Sequence, residues 1–336
     1  MTAGAPRFRV VRAAFAVQPS ARAIVGCDVR HVAFVRAAQD GRVGFGECAP
    51  LAGVHAERLD EAVAALECVA ERGGASGPAH ADALPPSARF ALGCALETLG
   101  GLGASACAPV SVAAFFPGDA PALDAAAIEH LADAPVVKLK IGRADAAADH
   151  ALLRRACDAL PRARFRVDGN RLLALDACVA RFRGLDPARF EYLEEPLRDP
   201  HDLPALRAAT GIPVALDELV ADPAPGAAAL RDALTAGGTA VAWVLRLSRV
   251  GSPAEGRALA AVAARHGADA VLSTAYESSY TLRLAVHLAA AIPNARRAHG
   301  LGTAGVLAAD ACAPAVVRGG MLAGEALPIP VAERWA

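Results

Sequence analysis

The stretch Val136-Val137-Lys138-Leu139-Lys140-Ile141-Gly142 is an apolar run of strand character that contains two lysines. Side chains alternate between the two faces of a strand, so Lys138 and Lys140 point to the same face. Two ammonium groups on one face repel each other, and lysine is rarely buried without a partner. The pair therefore indicates either a solvated edge strand or a site where acidic side chains meet both lysines.

Acidic residues end three further strand-like runs that follow this stretch. The runs are Phe165-Arg166-Val167-Asp168-Gly169-Asn170, Phe190-Glu191-Tyr192-Leu193-Glu194-Glu195-Pro196 and Val214-Ala215-Leu216-Asp217-Glu218. Neighbouring strands lie about 5 Å apart, so Asp168, Glu194 and Asp217 on adjacent strand ends can surround one cation. Three carboxylates with water in the remaining positions suit Mg²⁺, which prefers hard oxygen ligands. Separate solvated acids at strand–loop junctions are the alternative.

The size and charge of the chain exclude several classes of protein. Its 336 residues carry a formal net charge of -1, which argues against a nucleic-acid or membrane-surface partner because neither could rely on bulk electrostatics. The longest apolar runs are broken by charges well short of a membrane span. Eight cysteines occur without a CxxC pair, and Met1 to Val10 lack the apolar core of a signal peptide. The sequence therefore predicts reduced thiols and a cytoplasmic location.

The first hundred residues have the pattern of a small antiparallel sheet covered by helices. The predicted strands are 7–17, 29–38 and 43–47, with a loop at 18–27 between the first two. The predicted helices are 56–72 and 86–100, with a polar Gly-Ala-Ser-Gly loop at 74–77 between them. This pattern predicts an α+β domain at 1–107.

Strands alternate with helices over the rest of the chain, which is typical of parallel strands with right-handed crossovers. The predicted strands are 110–115, 136–141, 164–168, 191–194, 214–217, 241–247 and 269–274, with a short eighth near 296–301. The predicted helices are 121–133, 144–160, 174–184, 200–209, 226–236, 253–266 and 278–291. No Gly-rich phosphate loop follows the first of these strands, and the acids fall at C-terminal strand ends, which converge on one mouth in a (β/α)8 barrel. The predicted fold class is α/β, a modified TIM barrel at 108–305 with an N-terminal capping domain, on which 306–336 packs back.

The order KxK, DxN, EEP and DE along successive strands, after a domain that carries Gly44-Phe45-Gly46-Glu47, resembles the enolase superfamily. The likeness covers nearly the whole chain and is greatest to the o-succinylbenzoate synthase family of menaquinone biosynthesis. It implies a carbon–oxygen lyase (a dehydratase) that acts on a small-molecule carboxylate. Such enzymes remove the proton alpha to the carboxylate and form an enediolate held by Mg²⁺, for which Mn²⁺ can substitute.

The resemblance also implies a role for each residue of the motifs. Lys140 would be the acid/base, and Lys138 would support it electrostatically. Asn170 would either support the residues that hold the metal or face the substrate. The Mg²⁺ ligands would be Asp168, Glu194 and Asp217. Lys140 must be neutral to accept a proton, and both Lys138 and the cation are expected to lower its pKa.

One position departs from the family pattern. The family places another lysine at the end of the sixth barrel strand, where this chain has Arg246. Arginine stays protonated and is a very poor proton acceptor. Racemases and epimerases need a base on both faces of the substrate, so Arg246 argues against them. A syn dehydration needs only Lys140 as its base, and Arg246 would supply positive charge opposite.

Weaker signals surround these positions. Ser273 and Thr274 end the seventh predicted strand, and Ser278 opens the helix that follows, where hydroxyls and amides suit a substrate carboxylate. Ser278 as a plain helix N-cap is the alternative. Arg22, in the loop at 18–27, is a candidate contact for a second substrate carboxylate, although an exposed arginine is the commoner explanation.

Several interpretations stay open at this level. Glu195 and Glu218 adjoin the predicted metal ligands and face either the site or solvent. Glu47 is expected to be structural. Other enolase-superfamily reactions remain alternatives to the synthase, namely cycloisomerisation, acid-sugar dehydration and epimerisation of N-acylamino acids or dipeptides. A catalytically silent barrel with a binding role is the alternative from a different class, because fold alone does not determine function.

Overall fold

A computed structural model describes residues 5–72, 83–292 and 295–335 of the chain. The predicted Gly-Ala-Ser-Gly loop at 74–77 lies outside these residues. In the described part, no helix is long and apolar enough to cross a membrane.

The N-terminal sheet has three antiparallel strands in the order β1-β2-β3. They are β1 Arg7–Ala16, β2 Val29–Gln39 and β3 Arg42–Cys48. The segment predicted as a loop at 18–27 is not wholly irregular, because it contains a 3₁₀ turn, Pro19–Ala21, and a four-residue helix, α1 Arg22–Val25. A left-handed C-cap at Gly26 (φ 78°) ends this short helix.

Two helices, α2 Leu59–Glu71 and α3 Pro86–Leu99, pack against this sheet. The glycines of β3 permit the close approach of α3. A Cβ atom at Gly46 would lie 2.0 Å from the carbonyl oxygen of Ala91, and one at Gly44 would lie 2.2 Å from that of Ala95. The Gly-Phe-Gly-Glu motif is therefore a packing motif that also fixes the position of Glu47.

Eight parallel strands form the closed barrel that the sequence predicted, since the eighth strand pairs with the first. The strands are β4 Cys107–Phe116, β5 Val136–Lys140, β6 Arg164–Asp168, β7 Phe190–Glu194, β8 Val214–Leu216, β9 Ala240–Arg246, β10 Asp269–Ser273 and β11 His299–Gly302. The short final strand lies where the pattern placed it. The fold class is confirmed: an α/β barrel follows an N-terminal antiparallel-sheet domain.

Helices cover the outside of the barrel. They are α4 Ala125–Leu131, α5 Ala146–Ala159, α6 Leu175–Phe182, α7 Leu203–Thr210, α8 Ala227–Ala236, α10 Pro253–Arg265 and α11 Ser279–Ala290. The short α9, Leu247–Val250, instead packs mainly against α3 of the N-terminal domain. The side chains of Asp124 and Asp145 cap α4 and α5 by accepting a backbone N–H in the first turn. Gly211 (φ 70°) ends α7 in the left-handed conformation.

The C-terminal segment contacts both the barrel and the N-terminal sheet. A hairpin is formed by β12 Val317–Arg318 and β13 Met321–Gly324. Its second strand, β13, pairs antiparallel with the N-terminal half of β4. Further along, the Trp335 ring lies 5.4 Å from the Phe45 ring, centroid to centroid. The guanidinium carbon of Arg9 lies 5.8 Å from the centre of the same indole.

Candidate active site

Strand register aligns the basic and acidic residues at the mouth of the barrel. Lys140 is paired with Asp168, which is in turn paired with Glu194 on the next strand. Because side chains of one strand alternate, Lys138 points to the same side as Lys140, one layer deeper in the barrel. Three consecutive strands therefore direct two ammonium groups and two carboxylates into the same space.

Each lysine contacts a carboxylate directly. The Lys138 Nζ atom lies 2.8 Å from Asp168 Oδ2 and 2.7 Å from Glu194 Oε1. The Lys140 Nζ atom lies 3.2 Å from the same Asp168 oxygen and donates to Asn170 Oδ1 over 2.7 Å. These contacts exclude the solvated edge strand, because the lysine side chains are only 15% and 13% exposed.

Arg246 lies on the opposite side of the mouth. It ends the sixth barrel strand, four strands away from the one that carries Lys140. Its guanidinium donates to Asp217 Oδ2. Burial would lower the pKa of Arg246, but the surrounding carboxylates, Asp217 above all, raise it beyond the usual arginine value. Arg246 is therefore a fixed positive charge and has no capacity to accept a proton.

The two lysines have opposite pKa shifts. Burial lowers the pKa of Lys140, and the neighbouring Lys138 charge lowers it further, against the opposing effect of Asp168. Burial acts on Lys138 in the same sense, but Asp168 and Glu194 together raise its pKa above the usual value. Lys138 is thus held as a cation, whereas Lys140 is the lysine whose neutral form is stabilised.

The acids at the mouth also differ from one another. Burial raises the pKa of Glu194 to about 7, and the charges of Asp168 and Asp217 act in the same direction. Burial and the charge of Asp217 raise the pKa of Glu218 to about 8. Asp168 is buried too, yet Lys138 and Lys140 hold its pKa below the usual range. This crowding of negative charge calls for additional positive charge at the site.

The donor set of these acids fits a divalent cation. Asp168, Glu194 and Asp217 project from adjacent strands, and Asp217 Oδ1 is buried without a hydrogen-bond partner among the described residues. Within those residues, no three His, Cys, Asp or Glu side chains are gathered closely enough to hold an ion, and in this arrangement Lys138 contacts Glu194 and Arg246 contacts Asp217. Binding of Mg²⁺ by the three acids would require these side chains to rearrange.

A cavity of about 480 Å³ opens above these groups. Lys138, Lys140 and Arg246 all line it. Other residues from the sequence hypothesis that line it are Asp168, Asn170, Ser273 and Thr274. The lysines therefore line a cavity that is large enough to hold a small carboxylate.

Family models match two separate parts of the chain. The model described as "Enolase C-terminal domain-like" matches residues 122–327, and the model described as "MenC, N-terminal domain" matches residues 27–99. The chain belongs to the enolase superfamily. The o-succinylbenzoate synthase of Enterobacter sp. (strain 638) is 33% identical over 268 residues, which are 76% of this chain and 78% of that protein. The predicted relationship, including enzyme status, is confirmed, and superfamily members generally use Mg²⁺.

Solved structures show the same superfamily fold at low identity. The dipeptide epimerase from Enterococcus faecalis V583 has a TM-score of 0.80 and is 20% identical, over 97% of this chain and 99% of that one. MenC from Desulfotalea psychrophila LSv54 has a TM-score of 0.77 and is also 20% identical, over 95% of this chain and 99% of that one. At this identity the structures support the superfamily fold and do not discriminate between the two activities.

Four residues of the sequence hypothesis do not line the cavity of this superfamily member. Two of them, Glu194 and Asp217, still contact Lys138 and Arg246 at the mouth. Ser278 is fully buried, and its hydroxyl donates to Glu47 Oε2 over 2.5 Å instead of facing a substrate. Ser278 is the N-cap residue of α11, as the alternative predicted, but its side chain makes no capping hydrogen bond. Arg22 is about half exposed and pairs with Asp28 over 3.2 Å. Neither Ser278 nor Arg22 faces the cavity in this arrangement, and their substrate contacts stay predictions.

Glu195 and Glu218, the two acids that adjoin the predicted metal ligands, have different surroundings in the structure. Glu195 is completely buried, accepts the backbone N–H groups of Asp217 and Leu219 and pairs with Arg171. It therefore holds the turn that carries Asp217. Glu218 instead lines the cavity.

Other cavity residues were missed by the sequence reasoning. The aromatic rings of Phe115 and Tyr276 lie 6.4 Å apart, centroid to centroid, and both line the cavity. Leu51–Val54 of the N-terminal domain and the exposed Arg143 line it as well. Phe115 could have been found from the strand-end rule that identified the acids, whereas Leu51–Val54 reach the site only through contacts between domains.

Proposed function

We propose that this enolase-superfamily enzyme is an o-succinylbenzoate synthase of menaquinone biosynthesis. It would dehydrate 2-succinyl-6-hydroxy-2,4-cyclohexadiene-1-carboxylate to 2-succinylbenzoate. The observation that carries the proposal is the asymmetry of the mouth, with a lysine of lowered pKa on one side and Arg246 on the other. The named activity of its relative from Enterobacter sp. supports the same conclusion.

Lys140 would perform both proton transfers. Its neutral amine accepts the proton alpha to the substrate carboxylate, and the electron pair of that C–H bond remains on the substrate. The resulting ammonium then gives a proton to the hydroxyl on the same face as the C–O bond breaks, so that water leaves and the ring becomes aromatic. Atoms and charge balance, and Lys140 returns to its neutral form.

The remaining residues would provide charge and orientation. Mg²⁺, when held by Asp168, Glu194 and Asp217, would supply positive charge that stabilises the developing anion. Lys138 keeps its charge beside the base and so favours the neutral form of Lys140. Arg246 would stabilise the anion from the opposite face.

Epimerisation is the second candidate function, since one of the similar solved structures is a dipeptide epimerase. An epimerase must return a proton from the face opposite to the one from which it was taken. Arg246 is the cation on that face, and its raised pKa prevents it from exchanging protons. The arrangement of charges therefore favours the dehydratase.

Direct assay with Mg²⁺ tests the proposal. The loss of cyclohexadiene ultraviolet absorbance and the appearance of 2-succinylbenzoate are followed with the wild-type protein, and epimer formation from L-Ala-L-Glu and from an N-acylamino acid is measured in parallel. Dehydration without epimer formation is the expected result. Epimer formation without dehydration would replace the synthase proposal with the second candidate, and inactivity restored by Arg246→Lys would mean that the arginine has silenced the site.

A further inference from the structure

A buried chain of hydrogen bonds connects the N-terminal domain to the barrel mouth beside the proposed catalytic groups. The backbone N–H of Leu51 donates to His55 Nδ1 over 3.1 Å, and His55 Nε2 lies 3.2 Å from Ser248 Oγ. Ser248 Oγ donates to Glu277 Oε1 over 2.7 Å. The other Glu277 oxygen accepts the backbone N–H of Ala275.

The two ends of this series of hydrogen bonds determine which atom donates and which accepts at each step. A backbone N–H can only donate, so Leu51 requires His55 Nδ1 to be an acceptor, and the carboxylate oxygens of Glu277 accept at the other end. The hydroxyl of Ser248 then donates to Glu277 and accepts from His55. This order requires the neutral His55 tautomer that carries its proton on Nε2.

Arg30 provides a second bridge between the same two segments. Its guanidinium is 3% exposed and donates to the carbonyl oxygens of Ala49 (2.7 Å) and Pro50 (3.1 Å) on the domain side. It also donates to the carbonyl oxygens of Ala275 and Tyr276, each over 3.4 Å, on the barrel side. The described partners of this buried cation are thus backbone carbonyls that hold the two segments together.

The segments joined in this way form part of the cavity wall. Leu51–Val54 follow directly after the carbonyls that Arg30 holds, and they line the cavity together with Tyr276. Tyr276 has a φ of 59°, which is uncommon for a residue with a side chain and persists only where the surroundings fix it. None of His55, Ser248 and Glu277 lines the cavity.

We propose that His55, Ser248 and Glu277, together with Arg30, are positioning residues that set substrate fit by holding Leu51–Val54 against Tyr276. This inference rests on the proposed function and adds to it the residues that set the fit of the substrate on the N-terminal-domain side. Because these residues act through the cavity wall and do not touch the reacting atoms, their loss affects KM and leaves kcat nearly unchanged.

The central test removes the Ser248 hydroxyl, which is the middle link of this series of hydrogen bonds. Ser248→Ala removes the hydroxyl that partners His55 Nε2 and Glu277 Oε1, so the cavity wall is held less firmly. KM is expected to rise about tenfold, with kcat within about twofold of wild type. Ser248→Thr keeps a hydroxyl and is expected to restore most of the lost affinity. An unchanged KM, or a fall in kcat at constant KM, would overturn the proposal.

The matched control breaks a contact between the same two domains far from the cavity. Arg257 on the barrel pairs with Glu97 on the N-terminal domain through two exposed hydrogen bonds. Arg257→Ala is expected to leave KM within about twofold of wild type, because an exposed ion pair contributes little. A KM rise equal to that of Ser248→Ala would mean that any weakening of the domain contact is sufficient, and the specific role of the chain would be rejected.

A second readout needs no substrate and therefore separates this inference from the proposed function. The ¹⁵N chemical shifts of the imidazole in the full-length wild-type protein report which nitrogen of His55 carries the proton. The proton is expected on Nε2, and a proton on Nδ1 would overturn the directed chain. Absence of dehydration by the wild type, with the expected tautomer present, would count against the synthase alone.

Discussion

The buried carboxylates at the barrel mouth and those at the contact between the domains have different partners. At the barrel mouth, Asp168, Glu194 and Asp217 pair with lysine or arginine. At the contact between the domains, Glu47 and Glu277 accept from hydroxyls and backbone N–H groups, and neither has an ion-pair partner among the described residues. Both regions are shielded from water, so the chemistry of the partners makes the difference.

The two sets of partners suit different roles, which are proton transfer at the barrel mouth and positioning at the domain contact. Opposite charges packed at the mouth shift pKa values in both directions and leave one lysine suited to move a proton. Neutral donors at the domain contact provide direction and distance without an opposite charge. Substitutions at the mouth should therefore change catalysis, and substitutions at the domain contact should change stability or substrate fit.

Among the substitutions that test this comparison, loss of Lys140 should have the largest effect on activity. Lys140→Ala removes the group proposed for both proton transfers, so kcat for dehydration should fall by about 10⁴-fold. Lys140→Arg is the matched variant, because it keeps the positive charge but cannot act as a base. It should be nearly as inactive as Lys140→Ala in the absorbance assay, and near wild-type activity would identify charge, not proton transfer, as the role of this position.

The pH dependence of stability tests the domain-contact side of the comparison. Burial raises the pKa of Glu47 from 4.5 to about 7. The folded state therefore binds a proton more tightly than the unfolded state, and the stability from this group is complete below pH 4.5 and is lost as pH rises through about 7. The loss is on the order of 3 kcal/mol.

Glu47→Gln removes this titration while keeping the size of the side chain. Urea unfolding of both proteins between pH 4.5 and 7.5 should show the stability of the wild type falling relative to that of the variant. A difference that stays constant, or that increases in favour of the wild type, would contradict the buried protonated carboxyl.

Removal of one acid at the mouth should weaken metal binding. Asp217→Asn replaces a carboxylate whose Oδ1 has no partner in the described residues, and Mg²⁺ affinity measured by calorimetry should fall by about 100-fold. Glu325→Gln is a suitable control, because Glu325 is an exposed acid that pairs with Arg283 away from the cavity. Equal loss in the two variants, or no measurable Mg²⁺ binding by the wild type, would argue against a metal site formed by these acids.

The smallest effect is expected at Arg246. Arg246→Lys keeps a positive charge beside Asp217 but shortens the side chain, so kcat should fall by about tenfold or less. Assays with an N-acylamino acid then sharpen the comparison, since a lysine here would be a potential second base. Epimer formation by this variant and not by the wild type is the expected outcome, whereas epimer formation by the wild type would show that Arg246 does not prevent it.

The barrel and its mouth could be predicted because their signals are local in sequence. Alternation along Val136–Lys140 placed two lysines on one face, and each acid came at the end of its own strand. Parallel register then aligned Lys140, Asp168 and Glu194 without further information. Even the short eighth strand, His299–Gly302, lay close to its predicted position.

Contacts between distant parts of the chain could not be predicted in this way. Ser278 has the sequence signal of a helix start, but its partner Glu47 lies in the other domain. His55 and Ser248 carry no motif at all, and only the packed structure brings them together. The left-handed conformation of Tyr276 is likewise set by the residues around it and not by its own preference.

The most direct measurement of the central claim is the stereochemistry of dehydration. Two diastereomers of the cyclohexadiene substrate are supplied separately, one with the departing hydrogen and hydroxyl on the same face of the ring and one with them on opposite faces. A single base at Lys140 predicts that the wild type converts only the same-face diastereomer to 2-succinylbenzoate, and that Lys140→Ala converts neither. Conversion of the opposite-face diastereomer at a comparable rate would require a second proton-transfer group and would contradict the account.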